Sequence, residues 1–313
     1  MYSEIISDIR SLKIQGAINV AKEAVRAFEI RLGEIYLEVD RPSFPGSQQN
    51  IKEFVSKISR MKEELISLRA TEPCLRNSIN YITSNINYTL SVKDLKAKLD
   101  RNIEDVRKHF KESDSLITKY GSKRISSGMV LFTHCHASTV TKIMIDAKQS
   151  GKEFTVHNTE TRPLFQGRIT AQELATNGIK VQHFVDSAGR VALKKCDMML
   201  IGADAILSDG TVINKIGSEM FAEIAYRYDI PVYICTDSWK FDPKSVFGFD
   251  EEIEMRESKE VWSNAPKNIT INNFAFEKIN PELITGIISE LGIFKPEMFV
   301  QEVLEKYPWM INK

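Results

Sequence analysis

Cys135 follows the apolar run MVLFTH and stands at the head of the helical stretch VTKIMIDAKQS, where a strand hands over to a helix. The N-terminus of a helix offers free N–H groups and a partial positive charge, which bind phosphate and lower the pKa of a thiol. Cys135 therefore reads either as a reactive thiolate or as a buried packing residue, the commoner state of cysteine. His134 and His136 flank it and raise the question of zinc. Consecutive residues leaving a strand alternate faces, and no further Cys or His cluster completes a tetrahedral set, so no metal is expected.

A second loop, Asn158 to Arg168 (NTETRPLFQGR), follows the run EFTVHN and precedes a helix that Thr170 and Glu173 are spaced to cap. Arg162 and Arg168 bracket its turn. Planar guanidinium groups there suit a phosphate ester, although ion-paired surface arginines have the same signature. A third strand end, Gly202-Ala203-Asp204-Ala205, presents a carboxylate, and the hairpin-type turn Asp209-Gly210 leads on to Val212-Ile213-Asn214-Lys215-Ile216-Gly217. Asp204 is either a site carboxylate or a cap on the next turn. Lys215 and Lys240 supply cations from neighbouring loops, or are solvated surface charges.

Taken together, these groups provide a thiolate able to take a proton from carbon, a carboxyl group to move protons between oxygens, and cations for a phosphate. That is the equipment of an aldose-ketose isomerase working through an enediolate. The sequence holds no GxGxxG fingerprint, P-loop or GxSxG elbow, which argues against oxidoreductase, kinase and hydrolase chemistry.

Placing these side chains together is the task of the surrounding elements. From Gly121-Ser122-Lys123 onward, short apolar runs alternate with helical stretches: MVLFTH, EFTVHN, IKVQHFV, DMMLIGA, PVYICT and NITINN. That alternation predicts βαβ units, a parallel sheet covered on both faces, and ligands bound at the carboxyl ends of its strands. Before it, residues 1–122 carry helical periodicity: two helices joined at Gln15-Gly16-Ala17, a loop over 33–48 that includes RPSFPGS, then helices over 49–69, 73–89 and 93–120. Leu95, Leu99, Val106 and Phe110 share one face of the last. The fold class is α/β, with a helical N-terminal domain (1–122) and a Rossmann-like C-terminal domain (123–313). Lys plus Arg equals Asp plus Glu at 42 each, so no global field steers the chain to nucleic acid or membrane. Its four cysteines are widely spaced and read as reduced thiols, and no run is apolar enough to span a bilayer; a cytoplasmic protein is expected.

The runs THCH, TETRPLFQGRITAQEL and GADAILSDGTVINKIGSEMFA, continued by SWKFDP, EEIEMR and EKYPWM, resemble the initiation factor 2B alpha, beta and delta subunit family. That family includes methylthioribose-1-phosphate isomerase and archaeal ribose-1,5-bisphosphate isomerase. The resemblance implies Cys135 and Asp204 as the catalytic pair and Asn214, Lys215 and Lys240 as substrate contacts, with Gly16 and Ala17 in a phosphate loop. It departs in the N-terminal half, where Gln15 and Glu72 stand in place of family arginines and Ser138 in place of a lysine found in some isomerases. Glu72 would repel phosphate, while Arg76 could compensate. The implied activity is isomerisation of a phosphorylated pentose, ribose 1,5-bisphosphate to ribulose 1,5-bisphosphate, without cofactor and in a homo-oligomer. The alternative is a non-catalytic translation-initiation subunit that binds a nucleotide, a sugar phosphate or initiation factor 2.

Overall fold

The computed structural model describes residues 1–39, 48–69, 71–84, 86, 90–249 and 253–311. The chain forms two compact units, Met1–Lys111 and Glu112–Lys313. In the first, helices α1 (Tyr2–Arg10) and α2 (Ala17–Val39) are separated at Gly16, whose φ of +83° is left-handed and ends any helical run. Helices α3 (Gln48–Ser67), α4 (Pro73–Ile82) and α5 (Val92–Arg124) follow, and α5 runs on into the second unit. Leu95, Leu99, Val106 and Phe110 are all buried, as the helical period predicts.

Two N-terminal boundaries differ from expectation. Residues 33–39 are helical because buried Phe28, Leu32, Ile35 and Val39 carry the apolar stripe of α2 past Gly33; the RPSFPGS segment itself lies outside the described residues. Helix α4 stops at Ile82, well short of 89. The Thr83 hydroxyl donates to the Ile79 carbonyl at 2.8 Å, a local bond of the kind that competes with helix continuation.

In the second unit β1 (Val130–Thr133), α6 (Ser138–Gln149), β2 (Thr155–Thr159), α7 (Gln166–Thr176) and β3 (Lys180–Phe184) build one half of the sheet. Helix α8 (Gly189–Leu193) leads to β4 (Met198–Ile201); the hairpin β5 (Ala205–Ile206) and β6 (Val212–Lys215) precedes α9 (Ser218–Arg227) and β7 (Val232–Cys235). After the short α10 (Ser258–Val261) come β8 (Phe276–Ile279), β9 (Gly286–Ser289), β10 (Gly292–Phe294) and α11 (Pro296–Lys306). The large sheet has the order β10-β9-β7-β4-β1-β2-β3, parallel except for β10, and β5-β6-β8 form a separate antiparallel sheet.

Five of the six runs read as strands lie in the large sheet. NITINN does not: Ile269 is exposed and the segment joins no strand. The remaining parallel strand is β9, GIIS, too short and too uniformly apolar to show a period. Successive residues of the central strands alternate between two apolar layers. Phe132, Met199, Ile201, Ile234 and Ile287 pack with α8, α9 and α11, while Leu131, Met198, Leu200, Cys235 and Ile288 pack with α6 and α7. Full burial of a side chain such as Phe132 contributes about 1.5–3 kcal/mol, so removing it would open a hole beneath the strand that delivers Cys135.

Candidate active site

Chain order reverses between β1 and its hydrogen-bonded neighbour β4: the chain first adds strands on one side of β1, then crosses to the other. A crevice opens at such a switch point in an open parallel sheet. Cys135 leaves the carboxyl end of β1, and Asp204 follows β4. Their loops abut, since a Cβ added to Gly202 would lie 2.8 Å from the Ala137 Cβ.

The backbone of Cys135 is held on both sides. Its N–H donates to Thr161 Oγ1 at 2.9 Å, and its carbonyl accepts from the Thr170 hydroxyl at 2.9 Å. That hydroxyl's hydrogen is thereby used, so His136 Nδ1, 3.0 Å away, is the donor in their contact. Thr170 thus lies inside α7 and anchors the Cys135 loop instead of capping the helix. Cys135 and Thr161 both have left-handed backbones, φ +66° and +62°. For non-glycine residues this costs on the order of 1–3 kcal/mol each and persists only where surrounding contacts enforce it.

His134 is buried and bridges two further loops. Its Nε2 lies 2.9 Å from the Ile216 carbonyl, an obligate acceptor, so Nε2 carries the hydrogen; Nδ1 then accepts from the Thr159 hydroxyl at 2.6 Å. Burial pushes its pKa down to about 4, and the Lys215 ammonium acts in the same direction. Gly217 is required beside it: φ is +101°, and a Cβ would meet the imidazole at 3.1 Å. The Glu277 carboxylate accepts from the Glu219 N–H at 2.8 Å and caps α9, fixing the end of the Lys215 loop.

Lys215 is buried and among the described residues makes no ion pair. Its charge acts on Cys135. Even so, burial pushes the half-buried thiol up to about 12, with Asp204 and Asp186 adding to the rise and Lys215 opposing it. Of the two readings the sequence left open, a thiolate at a helix N-terminus or a buried thiol, the resting state is the second: α6 begins at Ser138, and burial is the largest influence on the sulfur. Cys135 rests as a thiol at neutral pH.

The other expected contacts fall in two groups. Lys240 is buried and donates to the Ala203 carbonyl at 2.5 Å, beside Asp204; buried Asn214 donates to Ser218 Oγ at 2.9 Å. Arg162 and Arg168 are exposed and face the Phe165 ring, at 5.2 and 3.8 Å; Arg162 donates to the Val261 carbonyl and Arg168 pairs with Glu160. The sequence reading missed Thr161 and Asp186. Asp186 ends the IKVQHFV strand as Asp204 ends its own, so the same strand-end rule reaches it. In the N-terminal unit, Gly16 is exposed and Ala17 opens α2 as a buried residue. Glu72 is buried there with Arg69 2.8 Å from it, so the repulsion expected from its carboxylate is offset. Gln15 donates to the Leu12 carbonyl.

Residues 38–296 match the initiation factor 2 subunit family. The chain is 34% identical to the ribose 1,5-bisphosphate isomerase of Pyrococcus furiosus, covering 98% of this chain and 94% of that one. It is 30% identical to the methylthioribose-1-phosphate isomerase of Thermosipho melanesiensis, over 94% and 87%. The crystal structure of the Pyrococcus horikoshii OT3 translation initiation factor eIF-2B superposes with a TM-score of 0.79 at 26% identity, covering 96% and 98%. With most of its length matched and its relatives similar from end to end, the chain belongs to the initiation factor 2 subunit family.

Proposed function

We propose that the protein is a sugar-phosphate isomerase converting ribose 1,5-bisphosphate to ribulose 1,5-bisphosphate. The observation that carries this reading is the grouping of a thiol, Cys135, with a carboxylate, Asp204, and a buried cation without an ion-pair partner among the described residues, Lys215, at the switch point of the sheet. A buried ammonium in that state is costly unless an anion joins it, and a phosphorylated substrate supplies one. The curated relatives include enzymes named for ribose 1,5-bisphosphate and for methylthioribose 1-phosphate.

In the proposed reaction the Asp204 carboxylate first takes the Cys135 proton and then donates it to the ring oxygen as the bond to C1 breaks. Cys135, as thiolate, takes the proton from C2, and the electron pair of that C–H bond becomes the C1–C2 double bond of an enol. The thiol then returns a proton to C1 while the C2 hydroxyl gives its proton to Asp204, leaving the C2 ketone and regenerating both groups. Lys215 favours the thiolate of Cys135, and Lys240 and Asn214 orient substrate. The enolic intermediate needs no electron acceptor, so residues alone balance the scheme. Turnover of ribose 1,5-bisphosphate by purified protein, lost in Cys135→Ala, is the test; turnover only of methylthioribose 1-phosphate would move the assignment to the monophosphate. The second reading, a non-catalytic initiation subunit, is supported by the likeness to the eIF-2B structure, and binding of initiation factor 2 without turnover of either sugar would favour it.

A further inference from the structure

Asp186 stands just beyond β3 and makes two bonds to successive backbone amides of the next loop. Its Oδ1 accepts from the Thr161 N–H at 2.8 Å and its Oδ2 from the Arg162 N–H at 2.7 Å. Thr161 in turn accepts the Cys135 N–H on its side-chain oxygen at 2.9 Å. Two hydrogen bonds in series, with the Arg162 amide bond as a brace, thus join the end of β3 to Cys135, two residues beyond β1, and both Thr161 and Cys135 have left-handed backbones. For a β-branched residue such as Thr161 that conformation is a true outlier, and bonds at both its amide and its hydroxyl account for its persistence. The two-pronged carboxylate has a further effect, because its charge acts on Cys135 in the opposite direction to the Lys215 cation.

We propose that Asp186 is a positioning residue for Cys135: acting through Thr161, it holds the cysteine in its left-handed conformation and sets a negative charge to act on it. Its consequence for turnover rests on the isomerase reading above, whereas its effect on the thiol does not. The charged groups that act on Cys135 are Lys215 at the end of β6, Asp204 after β4 and Asp186 after β3; the adjoining His134 and His136 both have lowered pKa values. Removing the Asp186 charge leaves Lys215 opposed by Asp204 alone. The thiol then becomes more acidic, and the brace loses one prong, since a carboxamide accepts through oxygen only.

The test is Asp186→Asn in the full chain, with the Cys135 thiolate titrated by ultraviolet absorbance against a Cys135→Ala background and the Cys135 amide followed by hydrogen exchange. The midpoint should fall, since a charge opposing the thiolate is lost, and amide exchange should quicken by about tenfold or more. Thr161→Val is the second variant: it keeps the charge and removes the hydroxyl, so amide exchange quickens while the midpoint holds, and Thr161→Ser restores the parent. An unmoved midpoint in folded Asp186→Asn, or parental Cys135 amide exchange in Thr161→Val, would overturn the proposal. If the parent turns over no sugar phosphate, the isomerase reading fails, yet these two readouts still decide the role of Asp186.

Discussion

Under the proposed reaction Cys135 carries the proton between C2 and C1, so turnover should drop by about 10²–10⁴-fold in Cys135→Ala, the usual scale for a positioned acid-base group. Because burial holds the thiol up at about 12, the thiolate fraction grows about tenfold per pH unit below that value. The proposed reaction uses the thiolate together with a protonated carboxyl group, so the thiolate gained with pH is offset by the acid lost, and kcat/KM of the wild-type protein should stay nearly level from neutral pH to pH 9; a rise of about tenfold per pH unit would give the acid's role to a group other than Asp204. His134 gives a separate expectation in the acid range. Its pKa is about 4 in the folded protein and about 6.5 unfolded. The folded state thus binds fewer protons, its stability is fully present above pH 6.5, and on the order of 3 kcal/mol is lost as pH falls from there to 4. Chemical denaturation at several pH values measures this, and His134→Asn should flatten the slope.

At the scale of the elements, two glycines set the spacing of the loops that form the site. A Cβ on Gly167 would lie 1.7 Å from the Thr159 carbonyl oxygen, so Gly167→Ala should separate α7 from β2 and destabilise the fold by about 3 kcal/mol or more, read by denaturant midpoint. At Gly202 the added carbon meets only the Ala137 side chain; Gly202→Ala should cost turnover more than stability, because the Cys135 and Asp204 loops move apart. The strand-end rule singled out Cys135 and Asp204 in the sequence because β1 and β4 are buried on both faces and read as plain apolar runs. It missed β9, whose four residues begin with a glycine, and it overread NITINN, where Ile269 faces solvent and Ile271 is only half-buried. The bonding partners of Cys135 were illegible for a different reason. Thr161, Thr170 and Asp186 are brought to it by tertiary structure alone, and Thr170 in sequence looks like a helix cap.

Across the whole molecule, the described residues contain no helix long and apolar enough to cross a membrane, and the four cysteines are free. Burial raises the thiol pKa of Cys196 to about 12 and that of Cys235 further. Together with Cys135 they favour the folded state while protonated. Stability should hold below the unfolded thiol value of about 8.5 and decline as pH rises beyond it; a melting temperature unchanged between neutral and strongly alkaline buffer would contradict this burial. The central claim is that the thiol, carboxylate and ammonium gathered between β1 and β4 isomerise a pentose phosphate. The most direct measurement is a nuclear magnetic resonance time course of purified protein with ribose 1,5-bisphosphate in deuterated water, run beside Cys135→Ala. The account expects ribulose 1,5-bisphosphate to accumulate with the wild-type chain and not with the variant. Equal conversion by both proteins would contradict it.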